Sequence, residues 1–187
     1  DLKEKGLFIP PVEKKYLELP QPSTDDNIAD VSRIVQNLRQ VHNEHRLVFG
    51  LPVIRKIPDT LREADFKVTV NIARSVRDEG KNRIINIEAG DTTDRNYAIA
   101  VDIGTTTVYG QMVDLISGEV LGQYGDFNAQ MSYGEDVITR IVYAEKGDGL
   151  EVLHQKVIET INRIIEKIAK RSKIDLDEVS SITLAGN

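Results

Sequence analysis

The 187-residue chain is long enough for one ordinary domain or two small ones, and its 40% apolar and 29% charged residues suit a packed core under a hydrated surface. It has no cysteine, which excludes disulfides and a cysteine-ligated iron–sulfur cluster within these residues. A net charge of −6 and the absence of Trp argue against nucleic acid, and no apolar run of about 18 residues offers a membrane span.

Residues 1–22 carry "IPP" and "LPQP" and show no secretory signal. Proline fixes φ and removes amide donors, so this segment reads as an extended linker. "STDDNIADVSRIVQNLRQVH" opens on cap residues and acids, then spaces Ile28, Val31, Ile34, Val35 and Leu38 at helical intervals. That pattern predicts a helix over 25–41. "LPVIRKIPDTLREAD" predicts a helical turn, a break at Pro58 and a second short helix. "FKVTVNIARSV" and "NRIINIEAG" alternate around "RDEGK" and predict a hairpin. Residues 23–93 thus read as a small α+β domain.

From Tyr97 the texture changes. Strands are predicted over 97–102, 107–114 and 119–125, joined by tight glycine-containing turns. "SYGEDVITRIVYAEKG" places Val137, Ile138, Ile141 and Val142 on one helical face. Residues 150–171 repeat that spacing through Val157, Ile158, Ile161, Ile164, Ile165 and Ile168. "VSSITLAGN" closes as a strand. Three strands, helices and a further strand make most of one α/β layer, so 97–187 reads as the incomplete start of a larger domain in a longer protein.

One residue of that layer is out of place. The apolar run "YAIAVDIGTTT" ends its strand on a carboxylate, Asp102, followed at once by Gly104 and by Thr105, Thr106 and Thr107. An acid at a strand mouth is costly unless its charge is compensated. The glycine permits a tight turn, and the threonines offer amides and hydroxyls to an anion. A carboxylate and a phosphate coexist when a hard cation lies between them, and Mg²⁺ commonly bridges the two. The competing reading is a hairpin in which Asp102 caps its own turn.

"VDIGTTTVYGQMVDLISGEVL" resembles the first phosphate loop of the acetate kinase, sugar kinase, heat-shock chaperone and actin superfamily. "NAQMSYGEDVITRIVYA", the closing "LAGN" and "GLPVIRKIPDTLREAD" resemble the ATP-dependent reductive activators of corrinoid proteins. The resemblance covers nearly the whole chain. It implies a linker, a small α+β middle domain and the first part of a ribonuclease-H-like, actin-like ATPase domain. It implies ATP and Mg²⁺ as cofactors, with Asp102 as catalytic residue and metal anchor. Gly104, Thr105, Thr106, Thr107, Gly186 and Asn187 would then lie at the nucleotide, and Asn128, Gln130 and Tyr133 at the nucleotide end or, as assigned here, at the partner. It further implies a cytoplasmic enzyme that takes a corrinoid cobalt from Co(II) to Co(I) for methyl transfer. A two-iron, two-sulfur cluster would sit in a domain outside these residues, and the middle domain is a candidate for homodimerisation. This piece alone is expected to be inactive.

Two rival readings remain open at this level. One is another superfamily ATPase, such as a 2-hydroxyacyl-CoA dehydratase activator or a sugar kinase. The other is a non-catalytic docking module. Among the remaining polar residues, Ser132 suits a helix N-cap and Glu135 or Asp136 its N-terminal dipole, with the capping reading favoured over a functional one for Asp136. His42 and His45 are too few to close a zinc site and read as a helix end, and His154 as a solvated or packed residue.

Overall fold

In the computed structural model, which describes residues 5–6, 8–74 and 80–186, the chain divides into two units between Asn96 and Tyr97. In the first unit the alternating segments form a four-stranded sheet of β1 (Val12–Glu18), β2 (Leu47–Phe49), β3 (Lys67–Ala73) and β4 (Asn82–Ala89), ordered β1-β3-β4-β2. The predicted hairpin is β3 and β4, paired antiparallel; Arg77, Asp78 and Glu79 of its turn lie outside the described residues. Helices α1 (Asp30–His42) and α2 (Leu51–Glu63) cover one face. Leu17, Ile34, Leu38, Ile57, Leu61, Val70 and Ile87 form the core there.

Three expectations change in this unit. Within the predicted linker, Val12–Glu18 is not a free connector: as β1 it pairs antiparallel with β3 along its whole length and buries Val12 and Leu17. The first helix starts at Asp30 rather than near residue 25, because the Asp26 carboxylate instead accepts from the Ile28 amide at 3.1 Å and from Arg33 at 2.5 Å. Pro58 does not break α2, which runs through it as one helix. A helix-interior proline costs about 3 kcal/mol. Val53, Ile57 and Leu61 are all buried on the same helix. At about 1.5–3 kcal/mol per buried aliphatic side chain, that stripe outweighs the proline.

The second unit contains β5 (Tyr97–Ile103), β6 (Thr107–Asp114), β7 (Val120–Phe127) and β8 (Val179–Gly186), in the order β7-β6-β5-β8. β5, β6 and β7 are an antiparallel meander, and β8 returns parallel to β5 after α3 (Val137–Ala144) and α4 (Gly149–Ser172). A meander followed by a helical crossover to a strand parallel with the first is the start of a ribonuclease-H-like fold. The α4 stripe of Ile161, Ile164 and Ile168 packs on Ile99, Val101, Val108 and Met112. Gly110 makes that approach possible, since a Cβ there would lie 2.8 Å from Ile164 Cγ2 and 2.9 Å from Ile168 Cδ1.

Helix α3 inverts its expected pattern. Val137, Ile138, Ile141 and Val142 are exposed, Ile138 by 75%, whereas Arg140 is only 8% exposed. Asp136 does cap this helix, accepting from the Thr139 amide at 2.8 Å and from its hydroxyl at 2.9 Å. Those bonds hold the Asp136 carboxyl below its ordinary range. Ser132 lies in the 3₁₀ turn Ala129–Tyr133 before it.

Candidate functional site

Strand alternation settles where Asp102 points. Ile99 and Val101 face α4, so Ala98, Ala100 and Asp102 lie on the opposite face, where Ala100, Asp102 and the paired Tyr109 are exposed. A shallow hollow of about 220 Å³ there is lined by Ala100, Asp102, Tyr109, Gln111, Thr183 and Ala185. The acid is thus at the surface of a bare sheet face and not in a core.

The loop that follows is built in one piece. The Gly104 amide donates to Thr107 O at 2.9 Å and closes the turn. A Cβ at position 104 would sit 2.6 Å from that same oxygen, so the turn accepts only glycine. Three successive carbonyls are then bound from behind. Gly104 O accepts from Asn128 Nδ2 at 3.0 Å, Thr105 O from Arg140 Nη2 at 2.6 Å, and Thr106 O from the Asn128 amide at 2.9 Å. In a trans peptide the C=O and the following N–H point in opposite directions. Pulling the Gly104 and Thr105 carbonyls inward therefore turns the Thr105 and Thr106 amides outward. Neither amide donates to another group among the described residues, and Thr105, Thr106 and Thr107 are all exposed. Outward amides of this kind form a concavity suited to an anion.

The site residues expected from sequence divide into two sets. Asp102, Gly104, Thr105, Thr106 and Thr107 come together at one end of the sheet, with Gly186 beside Ile103 in the β5–β8 pairing. Asn187 lies outside the described residues. Asn128, expected at a partner surface, is instead 1% exposed and holds the loop. Its Oδ1 accepts from the Gln130 amide at 3.0 Å. Gln130 in turn donates to Leu153 O at 2.9 Å and accepts from Arg140 Nη1 at 3.1 Å. Tyr133 packs against Tyr143 with ring centres 5.0 Å apart. His42 Nε2 meets Tyr16 O at 3.1 Å and His45 meets Asn43, whose left-handed backbone ends α1. His154 is exposed beside a second hollow of about 300 Å³, which Ile103, Thr105, Val137, Arg140 and Leu153 also line.

Sequence reasoning missed Arg140. The signal was a lone cation inside "VITRIVYA", an otherwise apolar stretch with no acid beside it.

Among the described residues no three His, Cys, Asp or Glu are grouped to hold a metal. A single carboxylate such as Asp102 does not enclose a cation. It does fit an ion that keeps waters and takes its other ligands from a phosphate, as Mg²⁺ does.

Residues 1–94 match the family description "RACo linker region" and residues 97–187 match "RACo middle region". A corrinoid activation enzyme, RamQ of Eubacterium limosum, is 34% identical over 151 aligned positions, covering 74% of this chain and 26% of the enzyme. A solved structure described as a reductive activator for a corrinoid, iron–sulfur protein superposes with a TM-score of 0.82 at 36% identity. That match covers 96% of this chain and 28% of the activator, so the chain spans about a quarter of the length of either relative.

Proposed function

This chain belongs to the RACo family, and we propose that the full-length protein is an ATP-dependent activator that reduces a corrinoid cobalt from Co(II) to Co(I) for methyl transfer. One observation carries the ATP half of this reading: in the loop that follows Asp102 in sequence, the carbonyls are bound from behind and the Thr105 and Thr106 amides are left facing outward. The likeness to a reductive activator supports the corrinoid half.

In this reading Gly104, Thr105, Thr106 and Thr107 receive the phosphates. Asp102 is the catalytic residue in this reading and would hold the Mg²⁺ that accompanies them. Gly186 and Asn187 border the same nucleotide. When bound, Mg²⁺ would neutralise phosphate charge that the carboxylate alone would repel. The remaining length that the relatives carry supplies the other wall of the ATP site, and residues 1–187 alone are inactive. An electron comes from a two-iron, two-sulfur cluster in a domain outside this chain. The partner is a corrinoid protein in the cytoplasm, met near Gln130 and Tyr133. Residues 23–93 are the proposed homodimer contact.

The test uses the full-length protein with its corrinoid partner, a low-potential reductant and Mg–ATP, read by the visible spectrum of the corrinoid. Co(I) should accumulate only when ATP is present. Equal Co(I) with and without ATP would sink the proposal.

A further inference from the structure

Helix α3 buries its arginine and exposes its valines and isoleucines, the reverse of what solvent alone would select. Burying a guanidinium is costly unless its N–H groups are satisfied. Arg140 reaches three oxygens, none of them a carboxylate: Nε to Gly134 O at 2.8 Å, Nη1 to Gln130 Oε1 at 3.1 Å and Nη2 to Thr105 O at 2.6 Å. The first two belong to the segment leading into α3. The third lies 35 residues back in sequence, in the loop beside Asp102.

We propose that Arg140 and Asn128 are positioning residues for the phosphate loop, setting which way the Thr105 and Thr106 amides face. Asn128 fixes the peptide between Gly104 and Thr105 through Gly104 O, and Arg140 fixes the next peptide through Thr105 O. The turn's own bond, from the Gly104 amide to Thr107 O, restrains neither of those two peptides directly. Without the clamps each can rotate its carbonyl outward, where it would meet phosphate oxygens with like partial charge. Gln130 couples the two clamps, since its Oε1 accepts from both Arg140 at 3.1 Å and Asn128 Nδ2 at 3.3 Å. The pair thus preorganises an anion cradle without touching the ligand. This inference rests on the proposed ATP site and adds the residues that shape it.

The test is the Mg–ATP dissociation constant of the full-length protein by calorimetry, beside its melting temperature without nucleotide. Arg140→Ala should weaken binding by about tenfold to a hundredfold, the usual size of a lost charge-assisted hydrogen bond. Arg140 lines the open 300 Å³ hollow, so added guanidinium at millimolar concentration can refill the space and should restore much of the affinity. The same additive should leave Asp102→Ala unchanged, a selectivity that a general loss of packing would not show. Asn128→Asp keeps the acceptor for the Gln130 amide but sets an oxygen against Gly104 O, and should weaken Mg–ATP comparably. It also carries the test if Arg140→Ala fails to fold. Wild type that binds Mg–ATP, beside folded variants that bind within about twofold of it, would overturn this inference and leave the proposed function standing. Wild type that does not bind Mg–ATP would overturn the proposed function and this inference with it.

Discussion

The two units use a four-stranded sheet differently. In the first, both faces are occupied. Helices α1 and α2 bury one, and on the other Lys14 and Glu88 pair at 2.9 Å while Thr92 donates to Glu88 at 2.7 Å. Thr69 binds both Gly90 O and the Thr92 amide, which stitches the segment after β4 across that face. Burial pushes the Glu88 carboxyl up, yet the hydrogen bonds from Thr92, Lys14 and Asn71 outweigh it and leave it below its ordinary value. In the second unit α4 covers one face and the other stays bare, with Asp102, Ala100 and Tyr109 exposed. A sheet closed on both faces is a scaffold. The open face of the second sheet is the one that carries Asp102, the residue proposed to hold Mg²⁺.

The largest effect should come from the open face. Asp102→Ala in the full-length protein should lower ATP-dependent corrinoid reduction by about a hundredfold or more, as removal of a metal anchor from a charged transition state does. The melting temperature without nucleotide should hardly move, because an exposed carboxylate takes no part in the core. Asp102→Asn should be nearly as damaging, since it keeps the shape and loses the charge. Normal turnover in both variants, or an unfolded apo protein, would make Asp102 a turn-builder and erase the contrast between the faces.

The two units also have separate hydrophobic cores. Leu38→Ala in the first and Ile164→Ala in the second each truncate a side chain that is 0% exposed, and each should cost about 2–5 kcal/mol. Scanning calorimetry should resolve two transitions, with each variant lowering one. Both variants lowering a single shared transition would mean that the units unfold as one.

What was legible in the sequence followed from local periodicity. The α4 stripe, the β5–β6–β7 meander and the β3–β4 hairpin repeat at 3.6 or 2 residues, and each formed as expected. The failures were places where distant contacts overrode a local signal. Pro58 reads as a break until α2 has a sheet to pack on, and the prolines around β1 hide a strand whose partner lies in β3. The loop at Gly104 was legible because its chemistry is contiguous. Its clamps were not, because Asn128 and Arg140 lie 24 and 35 residues from the carbonyls they hold. The family resemblance placed Asn128 at a ligand or partner surface, and no local signal marked it as buried.

Pro58 offers a gain instead of a loss. Its ring is exposed and its missing amide leaves Ile54 O without the usual helical donor. Pro58→Ala restores that donor and a propensity about 3 kcal/mol more favourable, offset by the ~0.4–1 kcal/mol by which proline restrains the unfolded chain. A net gain of about 2 kcal/mol should appear as a higher melting temperature of the first unit alone. No change would mean that α2 has already relaxed around the ring.

The smallest effect sharpens the contrast through pH. Arg74 grips Glu44 with two bonds, at 2.8 and 2.6 Å, and Glu13 with two more, at 3.2 and 2.8 Å. Asn82 adds a bond to Glu44 at 3.2 Å, and Lys15 lies 3.1 Å from Glu13. The Arg74 guanidinium is the main cause that holds both carboxyls below their ordinary value of 4.5, and the carboxylates in turn raise Arg74. A carboxyl whose pKa is depressed by folding is deprotonated more readily in the native state. Its contribution is therefore complete above the unfolded value and fades as pH falls through the lower, folded value. The first unit should lose stability from about pH 4.5 downward. Glu44→Gln should cost about 1–2 kcal/mol at neutral pH, where the fork is intact, and progressively less in acid. Site-resolved hydrogen exchange against pH reads this unit by unit. A Glu44→Gln penalty that stayed constant down to pH 3 would show that the carboxylate charge contributes nothing, and that the cluster is held by shape alone.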